Sequence, residues 1–233
     1  MGEMVTFASN GSTCQGYLGI PNTGRNPGHG PGVVVIQEWW GLVPHIESVV
    51  DRLADEGFVA LAPDLFHGIT TGEPDEGMRL MMGLAMDHAA QDIAGAAQYL
   101  FEHDATNGNG IGVVGFCMGG SLALWSATLA PNVVAAVGFY PAVPWERMSP
   151  RWPTYTGKSA MLHCCEADGT SAAKGIQQAK RAIEEAGGTV EIFDYPGTNH
   201  AFFNDDRPEV FDATAAKQAW SRTIELFRSR LPA

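Results

Sequence analysis

Lysine and arginine are scarce in this chain, 14 against 26 aspartates and glutamates over 233 residues, for a formal net charge of −12. With no basic excess and no basic run to neutralise phosphates, general nucleic-acid binding and attachment to anionic membranes are excluded. A small-molecule substrate fits better, and it can still be anionic, because one arginine in a cleft acts locally whatever the global sum. Long hydrophobic runs are missing too. No apolar stretch reaches membrane-spanning length, and no basic segment followed by a hydrophobic stretch and a cleavage site opens the sequence, so a cytoplasmic protein is expected. Met1-Gly2-Glu3-Met4-Val5-Thr6 fits the letters of a myristoylation pattern but has no basic company and is discounted. Cysteine is sparse: Cys14, Cys117, Cys164 and Cys165 are scattered unevenly, unlike a small disulfide scaffold, and reduced thiols are expected.

Cofactor and metal motifs are also lacking. There is no Walker phosphate loop, no His-Glu-x-x-His, no internal repeat and no low-complexity segment. Gly110-Ile111-Gly112-Val113-Val114-Gly115 has the letters of a dinucleotide fingerprint, but its glycines run through a strand instead of opening a helix after the first strand. His163-Cys164-Cys165 offers soft metal ligands, yet adjacent strand residues face opposite sides and make a poor single site. The sequence therefore reads as free of cofactor and of catalytic metal.

What is present is enough apolar material, 45% of residues, for one sizeable core, and a single domain over residues 1–233 is expected. A hairpin is predicted around Asn10-Gly11, and residues 22–32 carry the Gly/Pro chemistry of a surface loop. Apolar strands at 33–37, 58–62, 111–115, 133–140, 160–165 and 190–195 alternate with helices near 45–56, 78–103, 120–129, 172–186 and 211–231. Continuous apolar strands alternating with helices predict an α/β fold, a mainly parallel sheet covered on both faces.

The most informative segment is Gly115-Phe116-Cys117-Met118-Gly119, a Gly-x-nucleophile-x-Gly turn with cysteine at its centre. Such a turn swings sharply from strand to helix, and side chains at its glycines would strike neighbouring backbone. The small residues from Gly119 to Leu124 can begin a helix whose N-terminal dipole favours thiolate. Asp168 and His200 each follow a predicted strand, 51 and 32 residues further on, and each interval has room for one helix and one strand. The order nucleophile, acid, base is that of the α/β-hydrolase fold. Among the other histidines, His29 lies in a loop and His45, His88 and His103 in helical stretches; none shares the context of His200.

These residues resemble the dienelactone hydrolases, also called carboxymethylenebutenolidases, of the α/β-hydrolase superfamily. The resemblance is nearly full length and rests on four ordered motifs besides the Asp168 turn: Gln37-Glu38-Trp39-Trp40-Gly41-Leu42, Ala62-Pro63-Asp64-Leu65-Phe66, Gly115-Phe116-Cys117-Met118-Gly119-Gly120 and His200-Ala201-Phe202-Phe203. It implies that Cys117 is the nucleophile, His200 its base and Asp168 the residue that orients His200. It also implies that Glu38 contacts the cysteine and controls its ionisation, moving on substrate binding to deprotonate it. Glu38 already stands out, since it ends an apolar strand and precedes two tryptophans, where desolvation would raise a carboxyl pKa. By the same resemblance the oxyanion hole uses the backbone N–H groups of Met118 and Trp39. Two arginines are expected to hold a substrate carboxylate. Arg79 can fill the first position, whereas the second falls on Asn204, with Arg207 three residues further on. This departure weakens the case for dienelactone itself as substrate.

The sequence thus predicts a hydrolase, a monomer or small homo-oligomer, that opens a lactone or cleaves an activated ester through a cysteine acyl-enzyme. Two other readings remain at this level: a thioesterase or general carboxylesterase, and a non-catalytic relative whose Cys117 binds ligand or senses oxidants.

Overall fold

A computed structural model describes residues 2–9, 11–22 and 27–231, with the backbone alone at 169–172. The chain folds around one eight-stranded sheet in the order β1-β2-β4-β3-β5-β6-β7-β8. Strands β1 (Glu3–Ser9) and β2 (Ser12–Gly19) form the predicted hairpin, with Gly11 in the left-handed region at φ 68° and Asn10 outside the described residues. β2 joins β4 (Val59–Pro63) antiparallel, and from there β3 (Gly30–Ile36), β5 (Thr106–Phe116), β6 (Val133–Phe139), β7 (Ser159–Cys165) and β8 (Thr189–Tyr195) run parallel. This is the mainly parallel sheet of an α/β-hydrolase fold.

Alternation along each strand divides the core in two. Val34, Ile36, Leu61 and Val113 face helices α3 (Met86–Glu102), α4 (Met118–Leu129) and α5 (Gly169–Glu185), whereas Val33, Val35, Ala60 and Val114 face α1 (Pro44–Asp55) and α6 (Ala213–Arg230). Both faces are apolar, so the central strands read as unbroken hydrophobic runs. Every side chain of α4 from Met118 to Thr128 is buried, which accounts for its lack of a polar face. Asp212 caps α6 by accepting from Thr214 N–H at 3.0 Å and Ala215 N–H at 2.9 Å, so that helix starts two residues later than expected.

Several sequence-based boundaries need correction. β3 begins at Gly30 and β5 at Thr106, because Gly30 pairs with Thr106 and Pro31 with Asn107, so the sheet recruits segments with loop chemistry. The helix expected over 78–103 is two, α2 (Pro74–Gly83) and α3, with Leu84 and Ala85 extended at ψ 119° and 101°. The break lets Leu80, Met81, Leu84 and Met86 pack onto the core. Finally, α4 begins at Met118, directly after Cys117, two residues earlier than expected.

Candidate active site

The four residues expected to act in catalysis emerge from the carboxyl ends of parallel strands, where ligands bind in open α/β sheets. Glu38 follows β3, Cys117 follows β5, Asp168 follows β7 and His200 follows β8.

Cys117 links β5 to α4 in an unusual backbone conformation, φ 54° and ψ −115°. Its N–H donates to Phe139 O at 3.0 Å, and its carbonyl accepts from Gly120 N–H at 3.0 Å and Ala142 N–H at 3.1 Å. The flanking glycines are required by close approach. A Cβ on Gly115 would collide with the backbone of Gly119, and one on Gly120 would lie 2.5 Å from Phe139 O. The turn therefore puts a 7% exposed cysteine at the N-terminus of a buried helix. Met118 opens that helix, so its N–H is among the first-turn donors with no partner inside the helix.

Asp168 ends a short 3-10 turn after β7 and precedes α5. His200 Nδ1 and Asp168 Oδ1 are 2.8 Å apart, and both side chains are only partly exposed. Burial by itself would lower the His200 pKa; contacts with Asp168, Cys117 and Cys165 outweigh it and push the value up to about 12. The imidazole therefore lies among one carboxylate and two sulfurs. A ligand atom from each of Cys165, Asp168 and His200 falls within 4.8 Å of the other two.

Glu38 is 1% exposed, which discounts an exposed loop carboxylate. Its Oε2 accepts from Asn204 Nδ2 at 2.9 Å, while its Oε1 is buried without a hydrogen-bond partner. Asn204 is itself buried, and its Oδ1 accepts from Asp206 N–H at 3.1 Å. Asn204 thus holds Glu38. Arg79 lies on the exposed α2 with its guanidinium bound to Glu76, Nε to Oε2 at 3.0 Å. It lines a cavity of about 250 Å³ with Leu65, Phe66 and His88, a lining that does not include Cys117, Asp168 or His200. Arg207 pairs with Glu209 and lies over the Trp40 ring. Trp39 packs on Trp40 with ring centroids 5.0 Å apart, and its indole lies against Gly77 of α2.

Two residues at the site were not legible beforehand. Tyr140, the residue after β6, is fully buried at φ 37° with its ring 4.9 Å from that of His200. Burial, then the neighbouring Glu38, Cys117 and Cys165, raise its pKa well above the ordinary phenol value, and its hydroxyl makes no well-formed hydrogen bond. Cys165, expected to matter mainly for packing, also lies against the His200–Asp168 pair. The available signal was its position three residues before Asp168 at a strand end. Its neighbours behave as expected of a core strand: Cys164 packs into the opposite half of the core, and His163 Nδ1 and Nε2 are engaged by Tyr195 Oη at 2.9 Å and Thr223 Oγ1 at 3.0 Å.

Beside His200 and Asp168 opens a cavity of about 480 Å³, walled by Pro141, Val143, Trp145 and Ile176, with Glu146 and Lys174 also on its lining. Its size suits a small ligand. No helix among the described residues is long and apolar enough to cross a membrane.

Comparison with known proteins agrees with this architecture. The chain is 33% identical over 244 residues to Protein usf of Aquifex pyrophilus, covering 99% of this chain and all of that one. It is 30% identical, with the same coverage, to an Aquifex aeolicus protein provisionally named carboxymethylenebutenolidase. Among solved structures, a dienelactone-hydrolase-like promiscuous phosphotriesterase from metagenomic libraries superposes with a TM-score of 0.81 at 21% identity, covering 99% of this chain and 98% of that one. A Klebsiella pneumoniae structure provisionally titled dienelactone hydrolase gives 0.79 at 24% identity, covering 97% and 98%. The sequence profile described as the dienelactone hydrolase family matches residues 14–231, and the chain accordingly belongs to that family of α/β-hydrolase-fold carboxylic ester hydrolases.

Proposed function

We propose that this chain hydrolyses lactones or activated esters through a thioester formed on Cys117. The observation that carries the reading is the joint placement of Cys117 on its strained turn and the His200–Asp168 pair at 2.8 Å. Asp168 occupies Nδ1 of His200, fixing the tautomer and leaving Nε2 for proton transfer. Cys117 attacks the carbonyl carbon, and the Met118 and Trp39 N–H groups receive the developing oxyanion. Ring opening or departure of the alcohol, whose oxygen takes the proton that His200 carries at rest, leaves the acyl group on sulfur, and the neutral His200 then takes a proton from the water that releases the acid.

Glu38 is the proton acceptor that arms the thiol when substrate enters. Support comes from its Oε1, a buried acceptor with no partner, and from the Tyr140 hydroxyl, which feels the charges of Glu38 and Cys117 together. Asn204 holds the other carboxylate oxygen and so sets the orientation of the group. The acyl or leaving portion of the substrate occupies the cavity beside His200, whose mixed lining tolerates neutral as well as acidic molecules. With Arg79 engaged by Glu76 and Arg207 by Glu209, strict selection for a carboxylate is not expected.

Active-site titration with an activated aryl ester tests this. A stoichiometric burst followed by turnover, both abolished in a folded Cys117→Ala variant, is the expected result. Turnover surviving in that variant removes Cys117 from the nucleophile role. Rapid oxidation by peroxide without ester turnover favours a sensor.

A further inference from the structure

Outside this site, a second constellation brings together residues from three separate segments. Cys14 is on β2, 1% exposed; His67 is in the turn after β4; Asp92 is on α3, 4% exposed. One donor atom from each, the Cys14 sulfur, a ring nitrogen of His67 and an Asp92 oxygen, lies within 4.8 Å of the other two. We propose that Cys14, His67 and Asp92 bind a divalent cation of the zinc class, with solvent in the fourth position at the half-exposed His67 side.

The surroundings hold two of the donors in place. Ser9 donates its hydroxyl to Asp92 Oδ1, while Oδ2 faces His67 Nε2 at 3.2 Å. The Asp64 carboxylate accepts from Phe66 N–H at 3.1 Å and Gly68 N–H at 2.5 Å, building the turn that presents His67 at φ 51°. These contacts orient a carboxylate and an imidazole much as outer partners orient metal ligands. His67 is exposed enough for an ion to enter from solvent.

The donor set decides the class of ion. Thiolate and imidazole favour zinc-like ions, whereas magnesium and calcium call for oxygen alone. A thiolate and a carboxylate also cancel the two positive charges of the ion, so the bound group is neutral where two of its three ligands are buried. A free thiol, with an ordinary pKa of about 8.5, carries its proton at neutral pH. Binding must then form the sulfur–metal bond and release that proton to solvent. The bound ion would join the β1–β2 hairpin to α3 and to the turn after β4.

The test uses the full chain, stripped with chelator, in a Cys117→Ala background so that the triad sulfur cannot contribute, and titrated with cobalt(II). One equivalent should produce thiolate-to-cobalt charge-transfer absorption that zinc then abolishes by displacement, and zinc should raise the midpoint of thermal unfolding. The absorption should vanish in Cys14→Ala and persist in Cys165→Ala. His67→Gln should weaken cobalt binding by about tenfold or more. Cys14 is buried and its variant could misfold, so the exposed His67 position decides: its variant should fold, and when made with Cys117 present it should hydrolyse esters normally. The proposal is overturned if no charge-transfer absorption appears, if it survives Cys14→Ala or keeps full affinity in His67→Gln, or if it depends on Cys165.

Discussion

Gly119 lies where α4 packs against the end of β3, just before the loop carrying Glu38 and Trp39, and Gly119→Ala tests whether that approach matters. The added methyl would sit 2.5 Å from Gln37 O and nearer still to Ile36 O. Carbon and oxygen at van der Waals contact are about 3.3–3.5 Å apart, so helix and loop must separate by about 1 Å. Both obstacles are main chain, so no flexible side chain can give way. Overpacking of this kind costs about 1–3 kcal/mol. For a chain of this length that lowers Tm by roughly 2–12 °C. The displaced loop carries one of the two proposed oxyanion donors, and a misplacement of about 1 Å should cut kcat/KM on an aryl ester about 100-fold. Gly83→Ala is the matched control, since a Cβ there meets nothing within 4 Å, and it should leave both quantities near those of the parent or raise Tm slightly. A Gly119→Ala protein with parental Tm and turnover would refute the packing argument. Lower Tm with unchanged turnover would instead detach the loop from oxyanion binding.

Three further outcomes are expected. Asn204→Ala removes the Nδ2 donor that lies 2.9 Å from the buried Glu38 carboxylate and should cost about 1–3 kcal/mol by urea denaturation, together with slower acylation in pre-steady-state kinetics; full stability would mean that Glu38 finds another donor. Burial lowers the His163 pKa to about 3, so below the unfolded-state value of about 6.5 the unfolded chain binds the extra proton and stability falls as pH drops through that window, by up to about 1.4 kcal/mol per unit. His163→Gln should flatten this acid limb, and an unchanged limb in pH-dependent urea melts would assign it elsewhere. Asp168→Asn should depress kcat by as much as about 10,000-fold and lower the pKa of His200 seen by NMR titration, because the partner that raises it loses its charge; an unshifted His200 would break the proposed pairing.

Much of the fold was legible because the central strands are buried on both faces and so appear as plain apolar runs. The edges of β3 and β5 were not, since Gly30-Pro31 and Asn107 carry turn chemistry locally and become strand only by pairing with each other. The break between α2 and α3 likewise depends on where Leu84 and Met86 find the core, which helical periodicity does not encode. At the site, Cys117, Asp168 and His200 could be read because each residue type is chemically distinctive and each follows a strand. Tyr140 and Cys165 look like ordinary core residues in one dimension, and only folding brings them against His200. Asn204, legible only as the residue standing where an arginine was expected, has a hydrogen-bonding role on Glu38 that sequence position alone does not reveal.

The backbone at Cys117 has a consequence for the evolution of such a chain. A non-glycine residue held at φ 54° and ψ −115° costs on the order of 1–3 kcal/mol, and the surrounding packing must offset it. Glycine has no such penalty, so Cys117→Gly should melt higher than Cys117→Ala, which keeps the strained Cβ. Stability and reactivity are therefore opposed at a single position. Selection for heat resistance without selection for turnover would erase the proposed nucleophile early, and a thermostable descendant that kept a cysteine at position 117 would be evidence that its chemistry is in use.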